Sequence, residues 1–239
     1  QQSPSFRSSF PYSGYEIIRK KEFTLVFDCG EISPRYLPGH GHCDALSYEL
    51  SMEGKPVLVN SGTYQYEKGP WRDYFRSTSA HNTVMIGERE QSQFWAQFRI
   101  ARRIHHVKRD FYHHDGIDFI RGSYKTYFNA THTRYIGEVE KGVLLVLDQV
   151  QSFEHEKVQS FIHIHPEAAV REDGIIHIAN SGMEMKIYPI FADEVILRKG
   201  WYSSAFNKKE ENTHVVITKK PHVKFFGYLL CMKGVHCYV

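Results

Sequence analysis

The chain has 239 residues, of which 41% are apolar and 14% aromatic, and a formal charge of +3. That length suits one large all-β domain or two small ones, each with a proper core. So modest a charge removes any need for a nucleic-acid partner, and no stretch approaches the roughly 18 apolar residues of a membrane-spanning helix, so no membrane span is expected.

Residues 1–9 read as a polar, extended lead-in. With no initiator Met and no signal peptide, the start reads as that of a processed or excised piece. Strand patterns then follow at 22–30 (EFTLVFDCG), 55–62 (KPVLVNSG), 81–87 (HNTVMIG), 142–150 (GVLLVLDQV), 158–166 (VQSFIHIHP), 174–191, 213–220 and 223–232. Turn signals such as Glu53-Gly54, Asp173-Gly174 and Asn180-Ser181-Gly182 separate them. A helical turn is predicted within Glu67–Ser77, limited by Gly69-Pro70, and KKEEN at 208–212 reads as an exposed loop. Short strands without sustained helical periodicity predict an all-β fold, a large antiparallel β-sandwich with little helix over residues 1–239. A soft boundary is placed near 130–140, where His- and Arg-rich sequence gives way to regular strands. Cys29, Cys43, Cys231 and Cys237 form no CxxC pair, which predicts buried free thiols or at most one bridge.

The chemistry concentrates between Pro38 and Gln93. His40 and His42 are separated by one glycine, and in an extended segment both imidazoles project to one face. Gly39 and Gly41 allow close backbone approach. A metal site would need a third ligand from elsewhere, for which His81 is the best candidate. The bland alternative is three unrelated polar histidines. Of the 15 His residues, the adjacent pairs His105-His106 and His113-His114 point to opposite strand faces and are poor chelators. His163 and His165 share a face and read as sheet-surface residues. The basic stretch Arg99–Lys108 attracts an acidic glycan or is simply a solvated strand face.

The blocks GHGHCDALSYEL, LVNSGTYQY, WRDYFRSTSAHNTV and EREQS, in that order, resemble the heparinase II/III-type polysaccharide lyases, whose pattern runs HGHxD, LVDPGTYxY and YFRSTxAHNTV. GVLLVLDQV, FIHIHP and RKGWYSSAFNKKE also resemble that family's C-terminal domain, so the likeness covers most of the chain from about residue 20. It implies the C-terminal β-sandwich of a lyase that cuts uronic-acid polysaccharide by β-elimination. Its partners would be the acidic polysaccharide and an N-terminal α/α-toroid domain that this chain lacks; without that domain the chain should be nearly inactive. A polysaccharide substrate favours a periplasmic or extracellular location.

The resemblance also implies residue roles. His40 would stand in the catalytic cleft, neutralising the uronate carboxylate or moving a proton. His42 and His81 would be metal ligands, zinc being the family's usual metal. The third ligand position, Asp in LVDPGTY, is Asn60 here, and a neutral amide weakens a zinc site unless a group such as Asp44 substitutes. Tyr74 either faces the cleft as an acid–base group or is buried with its hydroxyl satisfied. Arg72 and Arg76 either pair with carboxylate or sulfate, as a guanidinium does well, or form internal salt bridges. Trp71 either stacks on a sugar or plugs the sandwich edge, and Asn82 fixes local backbone. A cupin is excluded by spacing, because the first Glu after His42 is Glu49. The rival is a non-catalytic sandwich that binds acidic polysaccharide or supports another domain, with Asn60 marking a degenerate metal site.

Overall fold

Apolar residues at every second position make the first sheet. In a computed structural model that describes residues 6–152 and 156–235, it contains β1 (Phe6–Phe10), β2 (Tyr15–Arg19), β3 (Phe23–Asp28), β4 (Tyr48–Met52) and β5 (Lys55–Leu58), paired in that order. β3 shows the rule: Phe23, Leu25 and Phe27 are buried, while Thr24, Val26 and Asp28 are only partly so. Residues 1–5 of the expected lead-in and Cys237 lie outside the described residues, and Phe6–Phe10 is already a strand.

The chain continues through β6 (Val84–Ile86), β7 (Gln93–Ala96), β8 (Arg99–Arg102), β9 (His105–His114), β10 (Ile117–Lys125), β11 (Thr131–Glu140) and β12 (Val143–Gln151). It ends with β13 (Val158–His163), β14 (Ala169–Glu172), β15 (Ile176–Asn180), β16 (Met183–Ile190), β17 (Ala192–Ala205), β18 (Lys208–Lys219) and β19 (Phe225–Met232). An eight-stranded sheet runs β14-β15-β16-β19-β12-β11-β10-β9, a four-stranded sheet runs β17-β18-β13-β6, and β7 and β8 form a separate hairpin. The five- and four-stranded sheets meet edge to edge at a bridge between Leu58 and Ile164, supported by the Val59 N–H donating to the His163 carbonyl at 3.0 Å. Buried residues from all three sheets, among them Leu25, Leu50, Ile136, Leu144, Ile162, Val215, Phe226 and Leu230, form one core, each large side chain contributing about 1.5–3 kcal/mol on burial. Gly122 permits the close approach of the two walls, since a Cβ there would lie 2.3 Å from Leu46 Cδ2.

The antiparallel β-sandwich with little helix is therefore observed. The helical turn is α1 (Pro70–Phe75), inside the expected window, and the two turns at Pro38–His40 and Thr78–Ala80 are 3-10. Residues 131–140, where a soft boundary was placed, form β11, inside the eight-stranded sheet. Two readings of the sequence need correction. KKEEN is not a loop: it begins β18, and the chain reverses at Phe206-Asn207, where Asn207 adopts φ +60°. The segment 105–125, whose His pairs read as lying on strand faces, pairs as β9 and β10. β9 is an edge strand, so its His residues and Lys108 face solvent and discourage pairing with another chain. Finally, His163 is fully buried, because β13 is covered on both faces and alternation therefore fails as a guide there.

Candidate metal centre

The HGH segment is not extended throughout. Pro38–His40 closes a 3-10 turn, with the Gly41 N–H donating to the Pro38 carbonyl at 3.1 Å, and only at Gly41 does the backbone become extended. Gly41 sits so near the loop after β3 that a Cβ would lie 2.8 Å from the Ile32 carbonyl oxygen. The turn separates the two imidazoles, contrary to the same-face expectation. His40 is exposed, and its Nδ1 lies 3.2 Å from the Tyr66 hydroxyl. His42 turns inward and is 9% exposed.

His81 arrives at the same place from the other side. The 3-10 turn Thr78–Ala80 ends with the His81 N–H donating to the Thr78 carbonyl at 3.2 Å. That turn is held in part by Glu90, whose carboxylate accepts from the Thr78 hydroxyl at 2.7 Å. His42, Asp44 and His81 each offer one ligand atom, all within 4.8 Å of one another, so the group could hold a metal ion. The His42 and His81 ring centroids are 5.3 Å apart. Burial drives the His81 pKa down to about 3 and that of His42 well below its usual value, with His81 adding to the latter effect. Both rings are therefore neutral, which is the metal-binding form. His81 has no exposed surface, and neither of its ring nitrogens makes a hydrogen bond of good geometry, although the Phe75 backbone offsets a little of the burial effect. Two orphaned nitrogens at zero exposure are costly unless something binds them.

Asp44 completes this His/Asp group. Burial raises the Asp44 pKa and the neighbouring charge of Asp28 raises it further. A nearby cation would reverse that by favouring the ionised carboxylate. The Asn60 side-chain oxygen accepts from the Gly62 N–H at 2.8 Å, closing a local turn in which Gly62 takes φ +80°. Asn60 still lines, with Asp28, Asp44, Glu49 and Tyr15, a hollow of about 30 Å³.

The other expected residues are placed as follows. Arg72 is 1% exposed; it donates to the Gly39 carbonyl at 2.9 Å, and its Nη1 is 3.5 Å from His42 Nε2. Arg76 donates to the Gln97 and Ala96 carbonyls at 2.7 and 3.0 Å. Both guanidiniums thus tie α1 to the HGH turn and to the β7–β8 hairpin instead of facing an open groove. The Tyr74 hydroxyl accepts from the Trp201 N–H at 2.8 Å and is held against β17. Trp71 packs on Trp201 with ring centroids 5.1 Å apart, beside Tyr64 and under the Lys209 ammonium. The Asn82 side chain donates to the Tyr48 and Val59 carbonyls and accepts from the His163 N–H, fixing backbone as expected.

Two supports were not read from the sequence. The His163 ring donates from Nε2 to the Ser79 carbonyl at 2.8 Å, and its Nδ1 is 3.3 Å from the Ser61 hydroxyl; it thereby props the turn that presents His81. Arg134 forms a bidentate pair with Asp148 at 2.7 and 2.9 Å, both residues having no exposed surface. The same guanidinium donates to the Leu46 and Asn82 carbonyls at 2.8 and 2.5 Å, so one side chain holds both ligand-bearing loops. Burial alone would raise Asp148, but Arg134 and His132 outweigh it and hold its pKa at about 2. The available signal was that Arg134 and Asp148 face each other in register across β11 and β12. Opposite charges at inward strand positions imply a buried pair.

The family Heparinase II/III-like, C-terminal, matches residues 3–225. The chain belongs to this family. Solved structures agree in fold. The heparan sulfate lyase HepC from Pedobacter heparinus aligns at a TM-score of 0.77 and 16% identity, covering 96% of this chain and 37% of that one. A heparinase III, the BT4657 gene product, aligns at 0.72 and 20%, covering 96% and 36%. The chain therefore spans just over a third of the length of these structures. A 4-alpha-glucanotransferase from Thermococcus litoralis shares the fold more loosely, at 0.53 and 11%, covering 98% and 40%. No curated protein matches the sequence. Among the described residues no helix is long and apolar enough to cross a membrane.

Proposed function

We propose that this chain is the metal-site half of a polysaccharide lyase that cleaves uronic-acid-containing polysaccharide by β-elimination, the other half of its cleft coming from an N-terminal helical domain. The reading rests on one observation: His42, Asp44 and His81 converge, with the His81 nitrogens orphaned, two residues along the chain from an exposed His40 that pairs with Tyr66. Two imidazoles and a carboxylate suit zinc and leave a fourth position open. Zinc bound there would supply a fixed positive charge that stiffens the HGH turn and favours a nearby anion.

β-Elimination breaks the C5–H bond adjacent to the uronate carboxylate. Its electron pair becomes the C4–C5 double bond, and the C4–O bond breaks with its electrons leaving on the oxygen, which takes a proton. In this reading His40 is the proton carrier. Its Nδ1 shares a hydrogen bond with Tyr66, which fixes the ring, while Nε2 has no partner among the described residues and is open to substrate. Tyr66 takes the place expected for Tyr74, whose hydroxyl is already engaged by β17. Arg72 positions the HGH turn by holding the Gly39 carbonyl.

The test uses the longer protein containing the helical domain, with uronate polymers, following ultraviolet absorbance of the unsaturated product. His40→Ala should lower kcat by about 10²–10⁴-fold, and metal analysis should find zinc that Asp44→Ala loses. If no uronate polymer yields unsaturated product while binding persists, the domain is a binding module. The inward use of Arg72 and Arg76 and the amide at Asn60 are the observations that favour this second reading.

A further inference from the structure

From Gln91 to Arg109 the sequence carries Arg99, Arg102, Arg103, Lys108 and Arg109 and no Asp or Glu, five formal positive charges in a chain whose net charge is +3. Arg109 is matched by Glu16 at 3.0 Å, and Arg103 donates to the Arg35 carbonyl at 3.2 Å. Arg99, Arg102 and Lys108 are exposed and have no carboxylate partner among the described residues. Arg99 instead lies over the Trp95 ring at 5.6 Å, and Arg102 over Tyr127 at 5.7 Å.

The β7–β8 hairpin has one face committed to the fold. Phe94 lies under the Arg76 guanidinium at 4.0 Å, and the tip carbonyls of Ala96 and Gln97 accept from Arg76. What remains outside is aromatic: Trp95 is 66% and Phe98 49% exposed. A solvated strand face has no use for a tryptophan at that exposure. The tip also touches the HGH turn, since a Cβ on Gly39 would lie 3.2 Å from Phe98 Cδ1. The Phe98 ring is 6.0 Å from that of Tyr66, the partner of His40. Exposed aromatics and unpaired guanidiniums thus run outward from His40 along one hairpin.

We propose that the outer side of the β7–β8 hairpin is a subsite for an acidic polysaccharide, holding sugar units beyond the reaction centre. Trp95 and Phe98 take the flat C–H faces of sugar rings, and Arg99 and Arg102 take carboxylate or sulfate groups. Guanidinium matches both oxyanions through paired N–H donors. The substrate class rests on the lyase reading; the presence of the subsite does not. Nucleic acid would use the same charges, and serves as the competing ligand in the test.

The test is calorimetric titration of this chain with heparan sulfate and alginate oligomers of increasing length, neutral dextran, and single-stranded DNA of matched charge. Arg99→Gln/Arg102→Gln should lose about tenfold in affinity for long oligomers, leave dimers unaffected, and converge with the parent at high salt. Trp95→Ala should lose about fivefold, a loss that persists in high salt because it is apolar. Unchanged melting midpoints, with Lys141→Gln as control, exclude unfolding as the cause. Variants that bind long oligomers like the parent, or DNA bound as tightly as uronate oligomers with Trp95→Ala silent, overturn the subsite. In the longer protein these variants should keep their turnover of short oligomers and lose the preference for long ones. Absence of unsaturated product with binding intact sinks the lyase reading alone, whereas turnover with no length dependence sinks the subsite alone.

Discussion

His81 and His163 occupy the same interior, neither with any exposed surface, and burial keeps both neutral. Around His163 both ring nitrogens have partners, the Ser79 carbonyl and the Ser61 hydroxyl, and the ring stacks on His214 with centroids 4.8 Å apart. Around His81 neither nitrogen makes a good hydrogen bond, and the nearest polar atoms include those of His42 and Asp44. Depth and pKa are therefore poor guides to a ligand. Whether the ring's hydrogen-bonding capacity has been used distinguishes a wedge in the core from a group waiting for an ion.

The comparison breaks first at its common support. Arg134→Met leaves the buried Asp148 carboxylate with His132 as its remaining partner and frees both loop carbonyls; a loss of about 3–5 kcal/mol in urea denaturation is expected, together with loss of metal binding. Parent-like stability and metal uptake would show that the clamp does not set the His81 geometry.

Acid comes next. The pKa values of His132, His163 and His214 are all lowered by burial, that of His214 to about 4. A base depressed in the folded state takes up its proton on unfolding, so stability is complete above the unfolded value of about 6.5 and falls as the pH drops below it. His163 and His214 each contribute about 1.4 kcal/mol per pH unit in that window, so by about pH 5.5 the two together should cost about 3 kcal/mol, with His132 acting in the same direction. Chemical denaturation of the parent and of His163→Gln at stepped pH separates this loss from the opposite contribution of Asp44, whose raised pKa stabilises the fold as the pH falls; identical profiles for the two proteins would contradict the buried, neutral assignment.

The two histidines can then be separated directly. His163→Gln should destabilise the metal-free protein by about 1–3 kcal/mol through its lost partners, yet preserve the rise in melting midpoint on adding zinc. His81→Gln should cost less without metal and abolish that rise. Identical behaviour of the two variants would remove the distinction. The smallest effect belongs to Asn60→Asp, expected within about 1 kcal/mol in the absence of metal because the new carboxylate still accepts from Gly62, while Asp44→Asn should lower metal affinity by more than about tenfold. A gain in metal affinity for Asn60→Asp would place residue 60 among the ligands.

Much of the architecture was legible because β3, β12 and β19 announce themselves through apolar, β-branched runs, and turn residues separate them. The meeting of His42 with His81 was legible from motif order. Alternation misled at β13, where two-sided burial makes every position apolar in environment whatever the residue, and at KKEEN, where a long hairpin carries a polar strand past its own turn. The outward swing of His40 followed from a 3-10 turn that two glycines allow but do not announce. That Asp44 joins His42 and His81 depended on a fold in space, and Asn60 borders the same hollow. Arg134 carries no local signal of its own, and its role emerges only from its cross-strand register with Asp148.

Because a single guanidinium on β11 fastens carbonyls 88 and 52 positions earlier in the chain, the ion pocket is a late product of folding. Neither ligand loop has its final shape until the β11–β12 hairpin has closed over it, so a metal cannot template the early stages. In a refolding experiment, zinc uptake should lag behind strand pairing, and the bound ion would serve as a timer that reads out the completed sandwich.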